Sequence, residues 1–151
     1  MARADLRDEL HTQVTRSVRR GAKVLLGGQP LDRPGWFYAP TVLTGVKPGM
    51  PAHDEELFGP VAAVIGVRDA SEAVAVANAT PFGLGAALFT RDRRRARELM
   101  PAIEAGMVFV NASVRSDPNL PFGGIKQSGY GRELGLPGIR AFVNVKTLWV
   151  E

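Results

Sequence analysis

The chain has 151 residues, 45% of them hydrophobic and 23% charged, which suits one globular core and excludes a disordered chain. No stretch approaches the roughly 18 consecutive apolar residues of a spanning helix, and Arg3, Asp5, Arg7 and Asp8 put charges where a signal peptide is apolar, so a cytoplasmic protein with no membrane partner is expected. The absence of cysteine excludes disulfides and thiol chemistry; the two histidines, His11 and His53, are too scattered for a metal site.

Leu6, Leu10, Val14 and Val18 recur every four residues and predict an amphipathic helix that stops near Gly21. Residues 23–26 read as a short strand closed by Gly27-Gly28, and residues 36–43 as extended chain interrupted by Pro40. The apolar run 61–67 predicts a buried strand. Ser71 is expected to cap a helix ending at Asn78, and Thr80-Pro81-Phe82-Gly83 to form a turn before a strand over 86–89. A helix capped by Asp92 and a strand over 107–111 complete a strand and helix alternation. That order predicts an α/β unit with a largely parallel sheet and no boundary between independent domains.

The net charge of +4 and a pI of about 10.0 raise the question of a polyanionic partner. The densest basic stretch, Arg91-Asp92-Arg93-Arg94-Arg95-Ala96-Arg97, is read as a solvated helix face, with Ala96, Leu99 and Ile103 turned inward, in preference to a nucleic-acid surface. No aromatic residues are interleaved with the arginines for base stacking. Beyond Asn111 a polar loop leads into a stretch rich in glycine. Its Gly129-Tyr130-Gly131 does not lie between a strand and a helix, so it is not read as a phosphate loop. The final run, residues 142–150, is extended, β-branched and without a local partner, which invites pairing with another chain.

Two segments carry more specific information: Glu55-Glu56-Leu57-Phe58-Gly59-Pro60-Val61, and Leu120-Pro121-Phe122-Gly123-Gly124-Ile125-Lys126-Gln127-Ser128-Gly129. With them stand Gly21-Ala22-Lys23, Gly27-Gly28, Pro40-Thr41-Val42-Leu43, Asn78 with Phe82-Gly83-Leu84, residues 106–111, and Gly131-Arg132-Glu133. In this combination the chain resembles the C-terminal part of an aldehyde dehydrogenase over residues 5–150. The run Ser116-Asp117-Pro118 before Leu120-Pro121-Phe122 resembles the succinate-semialdehyde branch of that family.

The resemblance implies a partial catalytic domain over residues 1–142 and an oligomerisation strand over 143–151. It implies a parent reaction in which NAD or NADP oxidises an aldehyde to a carboxylate. Glu56 would accept hydrogen bonds from the ribose hydroxyls beside the nicotinamide, as a two-oxygen acceptor can, and Phe58 would lie against the nicotinamide ring. Phe122 would wall the inner substrate tunnel, and the polar loop bearing Ser113, Arg115 and Ser116 would shape its entrance, an arginine or serine there binding a distal carboxylate. Asn111 would orient backbone.

Complete members of the family use a cysteine nucleophile, a glutamate base, an oxyanion-hole asparagine and a nucleotide-binding fold. This sequence has no cysteine, so no thiohemiacetal can form on it, and no catalytic residue is assigned. The chain is therefore expected to be an inactive fragment with weak or no cofactor binding of its own. It is expected to self-associate, or to pair with an N-terminal portion or a full-length relative. The alternatives are a non-catalytic interaction module that joins an intact relative and, less favoured, a basic nucleic-acid-binding module.

Overall fold

The computed structural model describes residues Met1–Glu151, which pack as two compact units, Met1–Val67 and Arg68–Glu151. No shift in composition announces the division at Arg68. No helix is long and apolar enough to cross a membrane.

In the first unit, helix α1 (Ala4–Arg19) covers a three-stranded sheet of order β1-β2-β3, made from β1 (Lys23–Leu26), β2 (Thr41–Thr44) and β3 (Val61–Ala63). Leu10 and Val14 of α1 are buried with Ala22, Tyr38, Leu43, Val46, Met50 and Ala52. The four-residue period drifts round the helix, so Ser17 rather than Val18 closes the buried face; Val18 is exposed. Gly21, at φ +107°, ends the helix with its N–H on the Val18 carbonyl.

β1 pairs antiparallel with β2, and β2 pairs parallel with β3. Gly27, at φ +70°, meets the Pro40 carbonyl so closely that a Cβ would overlap it. The extended reading of 36–43 resolves into an isolated bridge between Pro30 and Tyr38 followed by β2. The buried strand expected over 61–67 is shorter and more open: only Val61–Ala63 pair, and Ala62, Val64 and Val67 are exposed. Its partner β2 has four residues, and the bond of the Val64 N–H to the Leu43 carbonyl is the last between them.

The second unit begins with α3 (Ala70–Asn78); the short α2 (Pro51–Asp54) precedes it in the first unit. Its N-cap is Asp69, whose carboxylate takes the Glu72 N–H at 2.9 Å, and not Ser71, which lies inside the helix. β5 (Gly85–Leu88), α4 (Arg93–Leu99) and β6 (Met107–Val110) form a parallel β-α-β unit in register from Gly85 opposite Met107 to Leu88 opposite Val110. Asp92 caps α4 as expected, taking the Arg95 N–H at 2.9 Å; Ala96 is buried and the arginines face water.

β4 (Phe82–Gly83) pairs antiparallel with β7 (Ile125–Lys126), and α5 (Gly135–Arg140) follows. The α/β class holds, but the sheets are mixed: two ladders are parallel and two antiparallel, where a largely parallel sheet was expected. The glycine-rich stretch and the loop between β1 and β2, which ends at Pro40, supply the antiparallel returns that strand and helix alternation alone does not reveal. Residues 142–150 form no strand, and their large apolar side chains, Phe142, Val145, Leu148 and Trp149, are almost fully exposed.

Candidate functional site

Each unit carries a cavity lined by residues that the sequence singled out. In the first unit, a cavity of about 420 Å³ lies between α1 and the segment after α2, lined by Leu6, Glu9, Leu10, Gln13, Glu55, Glu56 and Phe58. Glu56 and Phe58 are therefore brought together. The Phe58 ring is 67% exposed, and the Glu56 carboxylate has no ion-pair or hydrogen-bond partner within the chain. Glu55, next to it, is engaged: Arg16 Nη1 stands 3.7 Å from its Oε1, and Gln13 Nε2 donates to its Oε2 at 3.0 Å.

The lining includes three carboxylates and no lysine or arginine. Such a surface repels a phosphate and welcomes hydroxyl donors, so these residues fit the ribose and ring of a nicotinamide nucleoside. An exposed aromatic face beside a free carboxylate is what such a group requires: a flat surface to stack on and an acceptor for its diol.

The second unit holds a cavity of about 660 Å³ with a mostly apolar wall from β6, Ala112, Leu120, Pro121 and Phe122, and with Arg115, Asp117 and Arg132 as its charged members. Arg115 and Phe122 are thus in one cavity. Ser113 and Ser116 do not line it; both are exposed on the loop. Phe122 is fixed by its backbone, which exchanges two 2.8 Å hydrogen bonds with Glu133. Arg132 turns Nη1 to the Gly124 carbonyl at 2.9 Å and the Gly131 carbonyl at 2.6 Å, which holds the glycine loop against the cavity. Arg115 makes no such bond and is the cation left for a ligand.

Asn111 performs the backbone role expected of it. At φ 53° its side chain accepts the Thr90 N–H and donates to the Thr90 carbonyl, both at 2.9 Å, tying the end of β6 to the end of β5. Gly106 packs so tightly on the Gly123 carbonyl that a side chain would overlap it. Sequence reasoning missed Glu9 and Gln13 in the first cavity and Asp117 and Arg132 in the second. For Gln13 there was a signal: an amide on the helix face that also carries Leu10 and Val14. No set of three or more histidine, aspartate or glutamate side chains is arranged to hold a metal.

The aldehyde dehydrogenase family model matches residues 1–148. The chain belongs to the aldehyde dehydrogenase family. It is 51% identical over 144 residues to a succinate-semialdehyde dehydrogenase [NADP(+)] 1 of Mycobacterium bovis, covering 95% of this chain and 32% of that protein. A succinate-semialdehyde dehydrogenase [NADP(+)] of Mycobacterium avium is also 51% identical over 144 residues, 95% of this chain and 30% of that one. Among solved structures, the succinic semialdehyde dehydrogenase of Streptococcus pyogenes in complex with NADP+ superposes with a TM-score of 0.94 at 37% identity, over 99% of this chain and 33% of that one. The chain thus spans about a third of the length of the relatives it matches.

Proposed function

We propose that the chain is the C-terminal portion of an NAD(P)-dependent aldehyde dehydrogenase that oxidises succinate semialdehyde to the dicarboxylate, and that it is inactive without the remainder of such an enzyme. The observation that carries this reading is the second cavity, an apolar channel wall ending at Phe122 with Arg115 as its unengaged cation. It has the make-up for a short aliphatic aldehyde with a carboxylate at its far end. The identity with mycobacterial succinate-semialdehyde dehydrogenases supports the same substrate.

Glu56 and Phe58 hold the nicotinamide riboside half of NAD or NADP, which accepts the hydride when bound. Phe122 and its neighbours keep water from the reacting carbonyl, and Arg115 orients the substrate by its carboxylate; Ser113 and Ser116 contribute hydroxyls at the entrance. The chain has no cysteine to attack the aldehyde, so the nucleophile comes from the other portion.

An association role is the second reading, and one feature favours it. The second unit buries no large side chain, and its tail exposes Phe142, Val145, Leu148 and Trp149, the last at 83%. Apolar surface of that kind is covered by another copy, by the upstream portion or by a full-length relative. Residues 143–151 act as the oligomerisation strand.

The test is reduced-nicotinamide formation from succinate semialdehyde by the chain alone and mixed with the separately expressed upstream two-thirds of the Mycobacterium bovis relative. Turnover is expected only on mixing, and Arg115→Gln raises KM about tenfold, the value of one charged hydrogen bond. Turnover by the chain alone would overturn the argument from the missing thiol. No turnover on mixing, with a stable complex formed, leaves the association role.

A further inference from the structure

The cofactor-facing segment of the first unit follows α2 as an irregular stretch, whose own backbone contributes one bond, the Gly59 N–H to the Leu57 carbonyl at 2.8 Å, a tight turn about Phe58. The Glu55 N–H reaches back to the Pro51 carbonyl, and beyond it no ladder or helix supports residues 56–58. Leu57 packs on the core, and the start of the segment is held by one side chain from α1. Gln13, on α1 and only 8% exposed, directs its amide nitrogen at two acceptors of this segment, Glu55 Oε2 and the Glu56 carbonyl oxygen, both at 3.0 Å.

A carboxamide nitrogen carries two hydrogens, and two acceptors are present. The clamp therefore fixes one side chain and one backbone carbonyl at successive residues, which sets the direction of the chain between them. Its root is rigid: Gln13 lies between Leu10 and Val14, both buried to about 1% exposure, and its own carbonyl accepts the buried Ser17 hydroxyl at 2.8 Å. That hydroxyl in turn accepts the Ala52 N–H at 2.9 Å, so α1 grips α2 and the segment after it together.

The clamp also separates the roles of two adjacent glutamates. Glu55 is spent on Gln13 and Arg16, whereas Glu56 gives up only its backbone carbonyl and keeps its carboxylate free in the cavity beside Phe58.

We infer that Gln13 is the positioning residue of the nicotinamide site, a hydrogen-bond clamp that pre-orders Glu56 and Phe58 before the cofactor arrives. The inference rests on the reading of Glu56 and Phe58 as cofactor contacts. Pre-ordering matters because a loop that must be immobilised on binding loses affinity to the entropy of ordering.

The test uses the whole chain, labelled with nitrogen-15, and nicotinamide riboside as the probe. Two readings are taken: backbone relaxation at residues 56–58, and the dissociation constant of the probe from shift changes. Gln13→Leu keeps the volume and removes both donors; it loosens residues 56–58 and weakens probe binding about tenfold. Gln13→Lys supplies an ammonium donor to the same two acceptors and restores both readings, whereas a residue that merely filled space would be better replaced by Leu. Gln13→Met serves in place of the leucine variant should that one not fold.

Unchanged order at residues 56–58 in the apolar variant overturns the clamp. Glu56→Gln tests the underlying reading separately: it weakens the probe without altering the order of the segment. Probe binding that is absent from the wild-type chain both alone and mixed with the upstream two-thirds of the Mycobacterium bovis relative, or unmoved by Glu56→Gln, overturns the cofactor reading and the positioning role with it.

Discussion

The Ser17 hydroxyl caps α2 through a residue 35 positions further along the chain: it accepts the Ala52 N–H at 2.9 Å while donating to the Gln13 carbonyl at 2.8 Å. The serine is fully buried, and Ala52 is the second residue of α2, one of the first-turn N–H groups that a helix cannot satisfy internally. A four-residue helix beginning with Pro51 has little stability of its own, so α2 depends on bonds from outside it, of which this is the buried one.

Ser17→Ala leaves that buried N–H without a partner and costs about 1–3 kcal/mol. Urea unfolding followed by circular dichroism checks it. Ser17→Thr keeps the hydroxyl but adds a methyl to a filled core, and it is expected to fall between the two.

The capping of α3 separates two residues close in sequence. Asp69→Ala removes the acceptor of the Glu72 N–H and costs about 1 kcal/mol, while Ser71→Ala, inside the helix and exposed, changes stability by less than about 0.5 kcal/mol. Equal effects of the two substitutions in thermal melts would return the cap to Ser71.

Gly106 and the Gly123 carbonyl leave no room for a methyl group. Both positions frame the glycine loop, so backbone and not a flexible side chain must move. Gly106→Ala is expected to cost about 3 kcal/mol or more, the upper end of overpacking, and to open the contact between the loop and β6. Loss of the Gly106 N–H bond to the Gly83 carbonyl, read as faster amide exchange, is its local signature.

Burial pushes the Tyr38 hydroxyl up to about 12 from an ordinary value of 10.0, and its only side-chain partner is His11 Nδ1 at 3.1 Å. A folded value above the unfolded one means that the neutral phenol stabilises the fold fully below pH 10 and that this contribution is lost as pH rises through about 12. Its size is roughly 2–3 kcal/mol. Urea midpoints of the wild type should therefore fall more steeply over that window than those of Tyr38→Phe. Parallel curves would place the phenolate in solvent.

Some of this was legible from the residues. The α1 period, the Gly21 stop and the Asp92 cap are local devices, and each formed where hydrogen bonding and burial along a few residues demand it. Ser71 was misread in place of Asp69 because both are good caps two positions apart and the sequence does not say which carbonyl begins the helix. The run from Val61 was read as too long because strand length is set by the partner, and β2 is short. The mixed sheets likewise depend on which strands meet, and composition cannot encode that.

The same division runs through the candidate sites. Glu56, Phe58, Arg115 and Phe122 were singled out from motifs whose residues lie close together in the chain, and a motif is a local object. Gln13 lies 42 residues from the motif residue Glu55 that it holds, and Arg132 acts on carbonyls that have no sequence signature, so only the folded chain reveals their roles. The sequence by itself determined the family, the helix faces and the absence of a thiol. Tertiary structure alone decided which glutamate is held and which is free, because hydrogen-bond partners 42 residues apart are chosen by how a helix packs and not by what surrounds each residue along the chain.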